Sequence, residues 1–298
     1  DNRLLLNGLG LSWAGKECHS ADIQIVNQLF VTEVKSSHLD VQCISRLAAA
    51  TGILSNSLQD RLDVSLPTGL LKNIQLTIRQ QNKDKSIDDS SVISTDEKQF
   101  EPFSFEAELE NVSLAAYSGT PLIKGVDGYV HADSDGGGVY FDSERFELGF
   151  PSLFSSSWNM KRTEGAVSWS IKDDDISVYS EGLRLTQFDD SLVYGDFILR
   201  LNPADKEDYL SLSLGMQDIA FKNASSFVPG HIVGEGLNSW LDKSLISGVV
   251  SEGIYVGYGS IEDDAPENSF TSSIYLKSHQ GELMFSEGWP NLDSLNAD

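Results

Sequence analysis

Apolar and polar residues alternate with a period of two along most of this chain. Phe103, Phe105, Ala107 and Leu109 alternate with Ser104, Glu106 and Glu108. The same rhythm runs through Val139 and Phe141; Phe146, Leu148 and Phe150; Val167, Trp169 and Ile171; Phe197, Leu199 and Leu201; and Leu210, Leu212, Leu214 and Met216. Each run predicts a strand with one apolar face and one wetted face, as in antiparallel sheets. Asp133–Gly138 and Lys172–Asp175 have the composition of hairpin tips, and Gly125–Gly128 reads as a bend on either side of a short strand start. About a dozen short strands in hairpin order predict an all-β meander rather than βαβ units.

In two strands the apolar set changes parity midway: Leu109 is followed by Val112 and Leu114, and Met216 by Ile219 and Phe221. One extra residue turns every later side chain to the other face unless a bulge re-aims it, and bulges let a long sheet curve. Helix is scarce. Glu235–Ile246, with Leu237, Trp240, Leu241 and Leu245 on one side and Gly248 as the stop, is the better candidate; Ile44–Leu58 is a weaker one. The apolar stripe of the Trp240 helix suits a cap or plug on the sheet. Gln81–Glu101, rich in Asp, Ser and Lys, reads as an exposed loop that divides an N-terminal β subdomain, 1–101, from a core, 102–298. An internal echo is also visible. Aligning Pro121 with Pro290 places Val126 on Leu295 and matches the order strand, turn, proline, apolar restart, which suggests a stacked, elongated architecture.

Composition narrows the partners. The chain has 298 residues with 21 Lys and Arg against 45 Asp and Glu, a formal charge of −24. Such a surface repels phosphate backbones and the headgroups of an anionic bilayer, so nucleic acid is excluded as a partner. No apolar run of eighteen residues and no basic-then-apolar leader occurs. The chain opens almost directly on a strand and stops on a half-finished motif, so it reads as a segment of a longer protein.

Candidate chemistry is sparse. Cys18 and Cys43 sit near the ends of two strand-like runs, Ala21–Val26 and Leu29–Cys43, and fit either one disulfide or two small apolar fillers. With no second Cys or His at ligand spacing, neither reads as a metal site. The five histidines are scattered, and no G-x-S-x-G elbow, P-loop, G-x-G-x-x-G or H-E-x-x-H is present, so the expectation is a non-enzyme without a cofactor. Asp133, Asp135 and Glu144 mimic three positions of a calcium loop, but flanking strands favour a glycine-rich hairpin tip over a weak cation site. Trp158, Trp169 and Trp289 read as core or rim residues.

The C-terminal third is more specific. Phe227-Val228-Pro229, then Leu237-Asn238-Ser239-Trp240-Leu241, Gly248, Gly253, Gly257 and Gly259, closes on Gly288-Trp289-Pro290-Asn291-Leu292. This order resembles the YhdP branch of the AsmA-like proteins, and Gly8–Trp13, Leu66–Leu71 and Gly119–Gly128 fit it too; Glu262–Pro266 departs from the aromatic-Pro-aromatic turn of that family. The resemblance implies a Gram-negative envelope protein, periplasmic and anchored in the inner membrane by a segment absent here. It also implies a bridge-like role in moving phospholipids between the inner and outer membranes, which the chain would meet through its missing parts. Other AsmA-like members are linked to outer-membrane assembly, which makes a protein-binding β-sandwich scaffold the alternative. Periodicity alone fits a closed sandwich as well as an open trough. With the resemblance, the expected fold is a long curved antiparallel sheet forming an open apolar groove, with one or two short helices. By parity, its lining would be Phe105, Ala107, Leu109, Val139, Phe141, Phe146, Leu148, Leu210, Leu212, Leu214, Ile274 and Leu276.

Overall fold

A computed structural model describes residues 2–10, 12–13, 16–19, 21–43, 45, 64–79, 102–117, 120–172, 175–201, 207–228, 235–262, 265–266, 269–286 and 288–297. Strand β1 (Asn2–Leu9) precedes a small hairpin of β2 (Ser12–Trp13) and β3 (Lys16–Glu17). The main sheet continues through β4 (Ala21–Gln28), β5 (Val31–Asp40), β6 (Thr68–Arg79), β7 (Phe103–Leu114), β8 (Leu122–Asp133) and β9 (Gly136–Gly149). Then come β10 (Trp158–Lys172), β11 (Asp175–Gln187), β12 (Leu192–Leu201) and β13 (Tyr209–Ala220). After helices α1 (Phe221–Ala224) and α2 (Glu235–Ser244), it ends with β14 (Leu245–Ser260), β15 (Phe270–Leu283) and β16 (Leu292–Ala297). Apart from the β2–β3 hairpin, these form one antiparallel meander of fourteen strands in chain order, open at both edges.

The sheet is a single layer. No strand packs extensively on any but its ladder neighbours, and among the described residues only eight hydrophobic side chains are buried. A sandwich of this length would seal dozens of side chains between two layers; the chain forms the open sheet instead. The expected division near residue 101 does not interrupt the ladder, because Ile78 of β6 pairs directly with Phe103 of β7. Most of Ile44–Leu58 and all of Gln81–Glu101 lie outside the described residues. The second helix forms where the sequence placed it. Cys18 and Cys43 are joined as a disulfide, with Cα atoms 6.4 Å apart, which decides between the two readings of that pair.

Both parity switches are bulges built on a left-handed residue. Asn111 has φ 49° and Asp218 φ 57°; each follows another outward-facing residue, and the apolar set then returns to its original face. Asn73, Arg145, Gly182 and Gln280 do the same in β6, β9, β11 and β15. The register places the bulges on two levels about four residues apart, Asn73 and Gly182 on one and Asn111, Arg145 and Asp218 on the other, so a creased band crosses the sheet without moving the apolar side chains off their face. Arginine in the left-handed region costs about 1 kcal/mol or slightly more relative to glycine. Arg145→Gly should therefore raise stability by about 1 kcal/mol, and Arg145→Val should lower it, as read from urea midpoints.

The crease also exposes a repeat. The backbone N–H freed at Gly8 donates to Asp22 Oδ1 (2.8 Å), at Asn111 to Asp127 Oδ1 (2.8 Å), at Gly182 to Asp196 Oδ1 (2.7 Å) and at Gln280 to Asn296 Oδ1 (3.2 Å). In sheet order these clamps join strands one and two, five and six, nine and ten, and thirteen and fourteen. The architectural unit is four strands. The echo aligned on Pro121 and Pro290 is two such units apart. The pairs Leu114–Ile123, Val112–Val126 and Leu109–Gly128 of β7–β8 recur in β15–β16 as Leu283–Leu292, Gly281–Leu295 and Ser278–Ala297, with the same two bulges.

Candidate functional site

Directly opposed residues in an antiparallel ladder point to the same side, so the register assigns faces strand by strand. One row crosses thirteen strands from β1 to β15: Leu4, Ile25, Val34, Leu76, Phe105, Ala132, Gly137, Trp169, Val178, Leu199, Leu210, Gly259 and Phe270. No residue in it is polar or charged. At about 4.8 Å between strands, the row is roughly 58 Å long. Between it and the crease a second row, Ala107, Val130, Val139 and Val167, extends the apolar surface.

This face is sheltered although no second layer covers most of it. Ala107 is 1% exposed and Ile74 5%, whereas outward neighbours such as Glu106, Glu108 and Gln75 are exposed. In a single layer, side chains crowd one another in this way on the concave side. Charges keep to the other face: Arg162 pairs with Asp142 (2.7 Å) and with Glu164 (2.9 Å), Lys124 with Glu147 (2.8 Å), and Lys72 with Glu110. The Lys124 ammonium, with help from the Ser157 hydroxyl, holds the Glu147 carboxyl below its ordinary range. From β6 to β14 the described residues of the sheltered face include no Asp, Glu, Lys or Arg. An acyl chain laid along it would meet no charge.

All twelve parity-assigned residues fall on this one face. Phe105, Ala107 and Leu109 are aligned with Val139 and Phe141 through β8, and Leu210, Leu212 and Leu214 with Ile274 through β14. Phe146 and Leu148 lie beyond the crease; the Phe146 ring stacks beside that of Phe141, centroids 6.5 Å apart, because Arg145 restores the parity. Ile274 and Leu276 are the most open, at 59% and 40% exposed. Parity reading left out Leu76, Val130, Val167, Trp169, Val178 and Leu199, of which Val167, Trp169 and Leu199 carried the alternation in full view. Trp169 lines the face, its ring lying over Gly137, where a methyl group would come within 2.5 Å of the indole.

One end of the face is capped. Phe221 and Phe227 close over Val193, Ile219 and Val250, and Trp158 stacks on Phe227 with centroids 5.6 Å apart while its indole N–H donates to the Ser226 carbonyl (2.9 Å). Thus Trp158 belongs to this cap. Trp240 of α2 meets Phe285 (6.5 Å), which meets Trp289 (6.2 Å), so the two tryptophans of the C-terminal sequence pattern converge beside the last strands. Asp133, Asp135 and Glu144 do not converge. Asp133 Oδ1 accepts the N–H groups of Asp135 and Gly136 within the hairpin tip, while Glu144 stands opposite Arg162, eight residues or roughly 26 Å along β9 from Gly136. Asp133 and Asp135 thus belong to the hairpin tip that the sequence favoured, and Glu144 lies apart from them.

A family model described as YhdP protein matches residues 2–298. The chain belongs to that family of AsmA-like envelope proteins. No curated protein and no solved structure matches it. Among the described residues no helix is long and apolar enough to cross a membrane.

Proposed function

We propose that this member of the YhdP family shelters phospholipid acyl chains along its apolar face and forms part of a periplasmic path for phospholipids between the inner and outer membranes. The observation that supports this most directly is the uncharged row crossing thirteen strands of a sheet with no second layer. Water contact costs an acyl chain about 0.8 kcal/mol per methylene, or about 12 kcal/mol for fifteen of them. A conduit must therefore be apolar without a gap, and shallow enough not to trap its cargo. One bilayer leaflet is about 15 Å of hydrocarbon, so the row would hold several chain lengths end to end. The outer face, carrying the charged pairs, keeps such a trough soluble. Among the described residues no nucleophile or acid–base pair suggests catalysis, and the reading is of a non-enzyme.

Photo-crosslinking in cells tests it. A photoreactive residue at Leu109 or Leu212, both on the sheltered face, should give phospholipid adducts, and one at Glu108 or Ser213, their neighbours on the other face, should give none. Protein adducts at Leu109 and Leu212 without lipid would favour an assembly scaffold instead.

A further inference from the structure

Cys18 and His19 precede β4; His38 and Asp40 end β5, and Cys43 follows three residues later. The β4–β5 hairpin brings these two short segments together. One donor atom from each of Cys18, Asp40 and Cys43 lies within 4.8 Å of the others. His19 Nδ1 stands 3.0 Å from Asp40 Oδ1 and 3.2 Å from Oδ2, and the His19 backbone N–H donates to Oδ2 at 2.7 Å. Asp40 is thus tethered through one carboxylate oxygen by the main chain. The three-donor group is Cys18, Asp40 and Cys43; His19 lies outside it but beside Asp40, where its imidazole is a further donor of a kind that binds transition metals, and none of the four belongs to the apolar row.

We propose that, once the Cys18–Cys43 bond is opened by a dithiol reductant, these residues form a zinc site: two thiolates, the Asp40 carboxylate and the His19 imidazole. The dithiol delivers two electrons and two protons to the S–S bond, leaving two thiols, and becomes a cyclic disulfide itself. Zn²⁺ then displaces the two thiol protons. Two sulfurs, one nitrogen and one oxygen make a four-coordinate set suited to this ion, and a poor one for the all-oxygen preference of calcium or magnesium. The folded hairpin holds both segments in place before the metal arrives, with the two cysteine Cα atoms 6.4 Å apart. Zinc would also replace the covalent tie, so the lead-in to β4 stays joined to the chain after β5 in either redox state.

The test uses the whole chain, reduced anaerobically with a dithiol, desalted, and titrated with zinc chloride against a chromophoric chelator. The expected result is one zinc per reduced chain and none per oxidised chain, with both thiols protected from a thiol reagent when zinc is bound. Asp40→Asn and His19→Gln should each weaken binding by about tenfold or more. Both variants retain the two cysteines, and a urea-unfolding midpoint equal to that of the wild-type chain verifies that the sheet has folded. Failure of the reduced wild-type chain to bind zinc stoichiometrically would overturn the proposal. So would unchanged affinity in both variants, which would mean that the thiols act alone.

Discussion

If the sheltered face carries phospholipid as proposed, Leu212→Asp should reduce the co-purifying lipid more than a hundredfold, whereas Ser213→Asp, one residue away, should leave it unchanged. Leu212 lies on the sheltered face opposite Phe197 and Gly257; Ser213 is exposed on the other face opposite Asp196. A carboxylate among acyl chains is either ionised without water or protonated at neutral pH, and both are unfavourable. Insertion measurements put a charged side chain at the centre of a bilayer at about 3 kcal/mol, which is roughly 150-fold in occupancy. In a closed pocket that would weaken one site. In the proposed trough it would do more, because every lipid in transit would pass over the same position. Quantifying phospholipid that co-purifies with the two variants decides the matter. Equal losses would mean that the charge acts on folding or solubility, and no loss in either would place the lipid elsewhere.

Much of this surface was legible in the sequence, and the reasons for the exceptions are physical. Period-two runs such as Phe103–Leu109 state a face directly, because the strand repeat is two residues. The breaks at Leu109–Val112 and Met216–Ile219 were visible as parity changes; what the sequence could not show is that Asn111 and Asp218 resolve them by turning left-handed. In Leu4-Leu5-Leu6 three adjacent leucines hide the alternation, so the register of β1 against β4 was needed to place Leu4 on the row. The four-strand period escaped because segments of unequal length separate Gly8, Asn111, Gly182 and Gln280. The polar stretch at 81–101 suggested a domain boundary, yet composition reports solvent exposure and says nothing of whether the strands on either side pair. His19 and Asp40 carried no ligand spacing, since a hairpin rather than a helical turn unites them.

Asp127→Ala should cost about 2 kcal/mol of stability and Asp127→Asn less than 1. The Asn111 N–H, turned out of the ladder by its left-handed backbone, donates to Asp127 Oδ1 at 2.8 Å, and hydrogen bonds to charged groups contribute about 1.5–3 kcal/mol. Alanine leaves that donor without its partner; asparagine keeps an acceptor of the same shape, as Asn296 does in the equivalent clamp. The contact is one link in a longer relay. Asp127's own N–H donates to the Ser143 hydroxyl (2.9 Å), and that hydroxyl, with Ser143 fully buried, donates back to the Asp127 carbonyl (3.2 Å). The relay therefore spans β7, β8 and β9 at the crease, where the apolar set is returned to its face. Residues within one such network do not contribute independently. Asp127→Ala and Ser143→Ala together should cost less than the sum of the two alone, by about 0.5 kcal/mol or more, in urea unfolding of the four proteins of the cycle. Strict additivity would show that the clamp and the buried serine stabilise separate parts of the sheet, and that the crease is not held as a unit.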